Sequence, residues 1–244
     1  NIGLDYVAKS QPDGYTLILG HVGTFGFGPS LYQKLPYDPV NGITPVILLG
    51  TTGMVLVTNP TLPVKGVKEL IGYARANPGK ISWGSYGTSS ATNLYMEWFK
   101  NAKGIQFLNV PYKSASLTMP AMLGGEIDMA YLAIGLAAQN VKAGKAKALA
   151  VNAPGRSSLL PDVATVIEQG VPDFEVASWA GINAPGKTPR PVIDWLNKAA
   201  TEIFTAPETR DVFLKQGMRM PLGAPESFQA YIDRESARWG EIIR

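Results

Sequence analysis

The sequence predicts an α/β protein with two lobes that are joined by two crossover strands. Short apolar runs of β-type composition alternate with helical patterns over most of the 244 residues, which is typical of βαβ units in a mostly parallel sheet with helices on both faces. The last third differs, because it carries three helical patterns in a row. Two further runs, residues 54–60 and 174–185, are too extended to be simple strands of one unit.

The predicted elements follow the chain in a regular order. After a helical pattern at the start, strands are predicted at Tyr15–Gly20, Ile43–Leu49, Met54–Thr58, Ile81–Trp83, Gln106–Val110, Ile127–Tyr131, Ala146–Val151 and Phe174–Ala184. Helices are predicted at Val67–Ala76, Ala91–Ala102, Ala115–Leu123, Val163–Gln169, Pro191–Thr205, Pro207–Gln216 and Pro225–Ile243. The final three begin at or directly after a proline, which the first turn of a helix tolerates.

The two extended runs set the expected domain boundaries. If both are crossovers, the chain leaves a first lobe near residue 55 and returns near residue 178. We therefore expect lobe I to comprise residues 1–55 and 178–244, and lobe II to comprise residues 56–177. A hinge of this kind would close the cleft between the lobes around a ligand.

Composition excludes several classes of function. The chain is 45% hydrophobic and 17% charged, as in ordinary globular proteins, and its net charge of +3 is not gathered into Lys/Arg clusters that would bind nucleic acid. The absence of cysteine excludes thiolate metal sites, thiol nucleophiles and disulfides, and it fits an oxidising compartment. His21 is the only histidine, so any catalytic triad or histidine metal site would depend on it alone.

Enzymatic motifs are also missing. The sequence contains no H-E-x-x-H, H-x-x-E-H or G-x-S-x-G, and no pair of carboxylates falls at predicted strand ends. We therefore predict a protein that is not an enzyme and needs no metal or cofactor. No signal peptide or membrane span is visible, and the chain starts directly in a helical pattern, so we expect a mature or trimmed form, or a fragment.

The segment Gly84-Ser-Tyr-Gly-Thr-Ser-Ser90 links a predicted strand end to a helix start. Glycine allows close approach of the backbone to a ligand, and Ser and Thr supply helix caps and hydroxyl donors. The free N–H groups of a first helical turn favour an anion. The sequence alone leaves two interpretations open, a capped helix start that binds nothing or an anion site.

A second junction, His21-Val-Gly-Thr-Phe-Gly26, has the same design after the first predicted strand. His21 is either a half-buried polar residue beside the turn or a ligand contact. Because the two junctions stand on either side of the first crossover, they could meet across a cleft, and open α/β sheets bind ligands at the carboxyl ends of strands.

Two apolar features could complete such a site. Residues 129–138 carry no charge, and they form either a buried helix start or an apolar wall for the carbon skeleton of a ligand, with Tyr131 and Ala133 as candidates. Trp179, on the return crossover, either lines the cleft or packs the hinge.

Seven stretches of the chain together resemble one known family. They are PDGYTLILG (12–20), SLYQKLPYDPV (30–40), TNPTLPVKGVKELI (58–71), ANPGKISWGSYGTSSATNL (76–94), VPYKSASLTMPAMLGGEIDM (110–129), VKAGKAKALAV (141–151) and SLLPDVATVIEQGVPDFEVASWAGINAPGKTP (158–189). In this order they resemble the Bug family, the periplasmic solute-binding proteins of tripartite tricarboxylate transporters.

The resemblance implies a two-lobed type II periplasmic-binding-protein fold that closes over a small carboxylated solute. Backbone amides and small hydroxyl side chains of both lobes would hold the ligand. Carried over by motif, the contributors are Gly23, Thr24 and Phe25 in lobe I and Ser85, Gly87, Thr88, Ser89 and Ser90 in lobe II. With His21, Tyr86, Tyr131, Ala133 and Trp179, they form the predicted set of ligand-binding residues.

Two departures from the family pattern modify these expectations. Relatives normally begin with a strand and a Gly-rich loop ahead of the Asn-Ile-Gly that opens this chain, so lobe I is expected to be N-terminally incomplete by at least one βαβ unit of roughly 30 residues. Many relatives also carry a polar pair where this chain has Leu132-Ala133. We therefore expect a less polar ligand, an aromatic or aliphatic mono- or dicarboxylate rather than an amino acid.

The sequence thus predicts a monomeric periplasmic protein that captures a small organic acid and delivers it to membrane transporter subunits. No nucleic-acid partner is expected. The alternative is the ligand-sensing effector domain of a transcription regulator, which shares the two-lobed architecture. That alternative would require a helix-turn-helix module, and none is visible in this chain.

Overall fold

The computed structural model describes residues 2–32, 34–86, 90–153, 155–174 and 176–243. The chain divides into two compact units: unit 1 comprises Asn1–Thr51, Ser178–Leu214 and Met218–Arg244, and unit 2 comprises Thr52–Ala177 and Lys215–Gly217. The predicted division into ligand-closing lobes, with bounds near residues 55 and 178, stays a prediction.

Helices and strands alternate along the chain. The helices are α1 (Ile2–Lys9), α2 (Gly28–Leu31), α3 (Val67–Ala76), α4 (Ala91–Lys103), α5 (Ala115–Leu123), α6 (Ile134–Lys142), α7 (Arg190–Thr205), α8 (Pro207–Lys215) and α9 (Pro225–Ile243). The strands are β1 (Ile18–His21), β2 (Ile43–Thr58), β3 (Ser82–Ser85), β4 (Leu108–Pro111), β5 (Met129–Ala133), β6 (Lys147–Asn152), β7 (Ala177–Pro185) and β8 (Met218–Arg219). A π-helical turn, Val22–Phe27, precedes α2, and a 3₁₀ turn, Pro172–Phe174, precedes β7. No helix in the described part of the chain has both the length and the apolar character needed to cross a membrane.

Unit 1 is built around β7. This strand pairs antiparallel with β1, from Ile18 opposite Asn183 to His21 opposite Ala180, and it also pairs with β2. The buried side chains of Val46, Ile47, Leu49, Ala184, Ile193 and Ala200 form one apolar core between these strands and α7. Helix α9 packs against the π-helical turn, with the rings of Phe27 and Trp239 edge to face at 4.7 Å.

The sheet of unit 2 corrects the prediction of a mostly parallel sheet. Strand β3 pairs in parallel with β4 and β5, as βαβ units require. Strand β2, however, pairs antiparallel with both β5 and β6 and lies between them. The parallel prediction therefore holds for β3, β4, β5 and β6 and fails for β2, because β2 enters unit 2 from unit 1 rather than through a helical crossover.

Helices cover both faces of this sheet. On one face, Val55, Ala130 and Leu132 pack against Met122 of α5 and Ala138 of α6. On the other face, aromatic rings predominate: Tyr131 lies 6.0 Å from Tyr95 of α4 and 5.9 Å from Phe174, between ring centroids. Because side chains alternate along a strand, consecutive residues within β3, and likewise within β5, point to opposite faces of the sheet.

Strand β2 is a continuous strand of 16 residues, whereas two strands were predicted, Ile43–Leu49 and Met54–Thr58. Gly50 and Gly53 lie between the two predicted strands and do not interrupt β2. Both glycines instead permit close packing: a Cβ on Gly50 would lie 2.6 Å from Met218 Cε, and one on Gly53 would lie 2.8 Å from Ile134 Cδ1.

The helix predicted at residues 163–169 is wrong, since the structure has turns there. The carboxylate of Glu168 accepts a hydrogen bond from Thr165 N at 2.7 Å, and Thr165 Oγ1 accepts one from Glu168 N at 3.1 Å. These reciprocal bonds form a capping box, which favours a helical start, and Gln169 N donates to Thr165 O, but Gly170 with φ 76° ends the segment after this one turn. The strand predicted from Phe174 likewise begins later, at Ala177, after the 3₁₀ turn.

Candidate functional site

Three helices of unit 2 begin at one edge of its sheet. The carboxyl ends of the parallel strands β3, β4 and β5 lie at the same edge, and α4, α5 and α6 follow these strands directly. Two hydrogen bonds join the strand ends: Tyr112 N donates to Ser85 O at 2.7 Å, and the Tyr86 hydroxyl donates to Tyr131 O at 3.2 Å. The free N–H groups of three first helical turns are thus collected at this carboxyl edge.

The start of α4 is held by polar side chains. Ser90 is its N-cap, and Ser90 Oγ accepts a hydrogen bond from Asn93 N at 3.2 Å. The side chain of Asn93 in turn accepts a hydrogen bond from Asn109 Nδ2 of β4 at 2.7 Å. Three predicted site residues, Gly87, Thr88 and Ser89, lie outside the described residues.

The predicted residues at the carboxyl edge differ in exposure. Ser85 and Tyr131 are both 0% exposed. Tyr86, Ser90 and Ala133 are partly exposed. Ser85 Oγ has no hydrogen-bond partner among the described residues. Ser85 and Tyr131 therefore lie beneath the edge, while the other three can be reached from its surface.

Tyr86 is uncharged at this edge, and its hydroxyl proton is donated to Tyr131 O. Burial raises the pKa of its phenol well above the ordinary value, because the phenolate would lose its hydration. Leu132, whose apolar character led to the expectation of a less polar ligand, lies fully buried in the core of unit 2. Of the Leu132-Ala133 pair, only Ala133 has an exposed fraction that a ligand could contact.

The N-terminus of α6 is covered within unit 2. A Cβ on Gly135 would lie 2.4 Å from the backbone oxygen of Gln216, and Gly217 lies against Ile134 and Leu159. The three-residue segment Lys215–Gly217, which belongs to unit 2 although its flanks belong to unit 1, thus packs directly on the first turn of this helix.

In unit 1, the predicted junction forms the π-helical turn. Thr24 Oγ1 accepts a hydrogen bond from His21 N at 3.0 Å and donates one to His21 O at 2.7 Å. Gly23 N donates to His21 Nδ1 at 3.0 Å. The imidazole and the threonine hydroxyl therefore cap the turn, and π-helical turns are rare and frequently found at functional sites.

His21 lies at the surface, but neighbouring atoms partly desolvate its ring, which lowers the pKa of the imidazole. A neutral ring with its proton on Nε2 fits the observed geometry, because Nδ1 must be free to accept from Gly23 N.

Phe25 and Trp179 lie inside unit 1. Their rings stack with centroids 6.5 Å apart, and Trp179 also meets Phe228 and Tyr231 edge to face. Trp179 is only 2% exposed. Of the two roles considered for Trp179, packing is therefore the one that this arrangement displays, and ligand contact stays a prediction.

No group of three His, Cys, Asp or Glu side chains in the described residues is arranged to hold a metal ion. The acidic residue nearest to the parallel strands, Asp128, lies at the opposite edge, where its carboxylate accepts from Ser82 N and Ser82 Oγ, each at 2.7 Å. The segments that follow β3, β4 and β5 at the carboxyl edge, residues 86–92, 112–116 and 133–136, contain no Asp or Glu.

Sequence reasoning missed two parts of this edge. The first is the start of α5, where Ser114 precedes the helix and Ser114 Oγ lies 2.7 Å from Ser116 Oγ. The second is the Asn93–Asn109 bond. The repeated order of a strand followed at once by a helix could have indicated the first, but the second depends on contacts between distant segments.

With this geometry described, comparison with known proteins places the fold among periplasmic binding proteins. The chain is similar to periplasmic binding protein BugD (TM-score 0.87, 33% identity, 99% of this chain and 81% of that one). It is also similar to two Rhodopseudomonas palustris proteins. One was solved with adipate (TM-score 0.88, 30% identity, 99% and 81%), and the other is MatC with bound malate (TM-score 0.89, 28% identity, 100% and 84%).

The chain belongs to the tripartite tricarboxylate transporter receptor family, TctC, which it matches over residues 1–244. Among sequence relatives, BugT of Bordetella pertussis is 30% identical over 244 residues (100% of this chain, 75% of the relative). A UPF0065 protein from the tcbD–tcbE intergenic region of a Pseudomonas species is 32% identical over 243 residues (99% and 72%). The predicted Bug resemblance and the α/β binding-protein fold are thus confirmed. The family and these neighbours are binding proteins rather than enzymes, as predicted.

Proposed function

We propose that the protein binds a small dicarboxylate at the carboxyl edge of unit 2. The observation that carries this proposal is the convergence of the α4 and α5 starts at an edge whose segments carry hydroxyl side chains and one lysine, Lys113, but no carboxylate. The partial positive charge of helix N-termini favours a carboxylate, and no acidic side chain at the edge opposes it. The relatives solved with adipate and with malate, both dicarboxylates, support this ligand class.

The same edge argues against an amino acid as ligand. The ammonium group of an amino acid requires a carboxylate or several oxygen acceptors when it is buried. The segments after β3, β4 and β5 offer amide and hydroxyl donors and the methyl group of Ala133, but no carboxylate. An aliphatic or aromatic acid therefore fits better than aspartate or glutamate.

The predicted ligand-binding residues of unit 2 fall into two groups according to the exposure of their side chains. We assign direct contact to Tyr86, Ser90 and Ala133 and a supporting position beneath the edge to Ser85 and Tyr131. Ligand contact by Gly87, Thr88 and Ser89, which lie outside the described residues, is proposed from the family pattern alone. In unit 1, ligand contact by His21, Gly23 and Thr24, with Phe25 and Trp179 supporting them, is a separate proposal and needs its own variants.

The place of action follows from the family. Members are receptors of tripartite tricarboxylate transporters, so we assign this protein to the periplasm, as a monomer that hands its ligand to membrane subunits of such a transporter. Ligand-dependent binding to those subunits, measured with purified components, checks this part independently of ligand choice.

The experiment that tests the proposal uses charge at the N-cap of α4. Ser90→Asp and Ser90→Asn both retain a good N-cap, but only the aspartate adds a negative charge at the edge. In calorimetric titrations with adipate and malate, we expect Ser90→Asp to bind at least about tenfold more weakly than Ser90→Asn, because the two variants differ only in the added charge. Equal affinities in the two variants, or a preference of the unmodified protein for aspartate or glutamate, would contradict the proposal.

A further inference from the structure

Trp83 and Asn109 are direct neighbours on adjacent strands. They stand opposite each other in the parallel pairing of β3 with β4, so their side chains point to the same face of the sheet, the face that α4 covers. Trp83 is 0% exposed. A buried indole and a partly buried amide thus occupy opposite positions of adjacent strands on this face.

Each side chain has a buried atom that lacks a hydrogen-bond partner among the described residues: Trp83 Nε1 and Asn109 Oδ1. The indole nitrogen can only donate, and the amide oxygen can only accept. A group that satisfies both must accept from one and donate to the other. Water does this, whereas an anion would be repelled by the amide oxygen and a cation by the indole N–H.

Hydrogen bonds connect Asn109 to the candidate site. Its Nδ2 donates to Asn93 Oδ1 at 2.7 Å, and Asn93 N donates to Ser90 Oγ at 3.2 Å. The amide of Asn109 therefore bonds the first turn of α4 through Nδ2, while its Oδ1 is left without a partner among the described residues. Its orientation is fixed only when both ends are satisfied.

We propose that a buried water molecule bridges Trp83 Nε1 and Asn109 Oδ1, and that Asn109 is the positioning residue that fixes the N-terminus of α4. The importance of this water for ligand binding rests on the function proposed above. The water site itself and its effect on α4 are independent of that function. The site takes one small uncharged molecule that both donates and accepts hydrogen bonds.

Hydrogen exchange at α4 tests the connection. Trp83→Phe removes the donor to the water and leaves every polar side chain of α4 unchanged, whereas Asn109→Leu removes both the acceptor to the water and the donor to Asn93. In both variants we expect the amides of Asn93 and Leu94, which donate to Ser90 Oγ and Ser90 O, to exchange at least about fivefold faster. The amide of Thr118 in the first turn of α5, which donates to Ser114 O, should not change.

Thr58→Val is the matched control. Thr58 Oγ1 is also buried without a partner among the described residues. Thr58 lies in the same cross-strand row, since Thr58 and Trp83 both stand opposite Met129. Among the described residues no hydrogen bond leads from the Thr58 side chain to α4, so this variant should leave exchange at Asn93 and Leu94 unchanged. Acceleration only in Asn109→Leu, or equal acceleration in Thr58→Val, overturns the water bridge.

A crystal structure of the unmodified protein is the second test of the water bridge. Density for a water within about 3.2 Å of both Trp83 Nε1 and Asn109 Oδ1 supports the proposal, and a dry gap or a direct bond between the two side chains refutes it. Neither the exchange measurement nor the crystal structure depends on a ligand. If the protein binds no dicarboxylate but contains the water, the proposed function is refuted and the water bridge is supported.

Discussion

At the scale of single residues, the candidate edge was only partly visible in the sequence. Ser85, Tyr86 and Ser90 could be predicted because Gly, Ser and Thr cluster where a strand meets a helix. The exposure of these three side chains could not be predicted, because it depends on the face of the sheet to which each side chain points. The Asn93–Asn109 bond was invisible for a related reason: it joins residues 16 positions apart through the register of β3 with β4.

The cap made by His21 predicts a pH dependence of stability. Desolvation lowers the pKa of the folded imidazole below its ordinary value of 6.5, so near that pH the unfolded chain binds more protons. Stability is therefore fully present above the unfolded pKa and is lost as pH falls through the folded pKa, where protonated Nδ1 can no longer accept from Gly23 N. Thermal unfolding between about pH 5 and pH 8 measures this effect.

His21→Asn is the control for this prediction. Asparagine is a good helix cap but does not titrate. The variant should therefore lose the part of the pH dependence that belongs to His21 while other titrating groups continue to contribute. An unchanged pH profile in the variant would show that His21 does not contribute.

At the scale of elements, two glycines predict opposite effects of the same substitution. A Cβ on Gly84 of β3 would lie 2.4 Å from Thr118 Cγ2 and 2.6 Å from Ile127 Cδ1, so Gly84→Ala should destabilise the protein by about 1–3 kcal/mol through overpacking. Gly72 of α3 has nothing within 4 Å of the same position, so Gly72→Ala should stabilise it by about 0.5–1 kcal/mol. Urea unfolding of both variants measures the two signs, and a loss of stability in Gly72→Ala would contradict the argument.

The elements themselves were predicted with uneven success. The bounds of α3, α5 and α9 agree with the prediction to the residue, because apolar periodicity is clear there and Gly or Pro marks an end. The predictions that failed concern segments in which a glycine packs closely against a neighbour or ends a turn. Glycines inside β2 allow close packing instead of a turn, and Gly170, with φ 76°, limits the segment that Thr165 and Glu168 cap to a single turn.

At the scale of the whole molecule, the segment Lys215–Gly217 predicts a sensitive position far from it in sequence. A Cβ on Gly135 would lie 2.4 Å from the backbone oxygen of Gln216 and 2.9 Å from its carbonyl carbon, and backbone cannot rotate away as a side chain can. Gly135→Ala should therefore displace the segment and cost more than the roughly 1 kcal/mol that alanine adds to helix stability.

Limited trypsin digestion checks this displacement. Cleavage after Lys215 should become faster in Gly135→Ala, because a displaced turn is more accessible to protease. Gly72→Ala, the same change at an exposed helical position, serves as the control and should cleave at the unmodified rate. Unaltered cleavage and stability in Gly135→Ala would mean that the contact is dispensable.

The antiparallel position of β2 could not be predicted from the sequence. The alternation of strands and helices correctly indicated the parallel group β3 to β6, since each of these strands follows a helix. Strand β2 precedes that group, and its place between β5 and β6 is fixed by pairing with segments more than 70 residues away. Such long-range pairing leaves no periodic signal.

The division of the chain also sets an order of events during synthesis. Residues 52–177 contain all of unit 2 except three residues, whereas unit 1 needs segments from both sides of that stretch. The core of unit 1 joins Val46 and Ile47 to Ala184, Ile193 and Ala200, so it cannot form until the chain has grown past residue 200. Since domains fold as their residues leave the ribosome, unit 2 should become structured before unit 1, and residues 1–51 cannot complete their core until the later segments of unit 1 have been made.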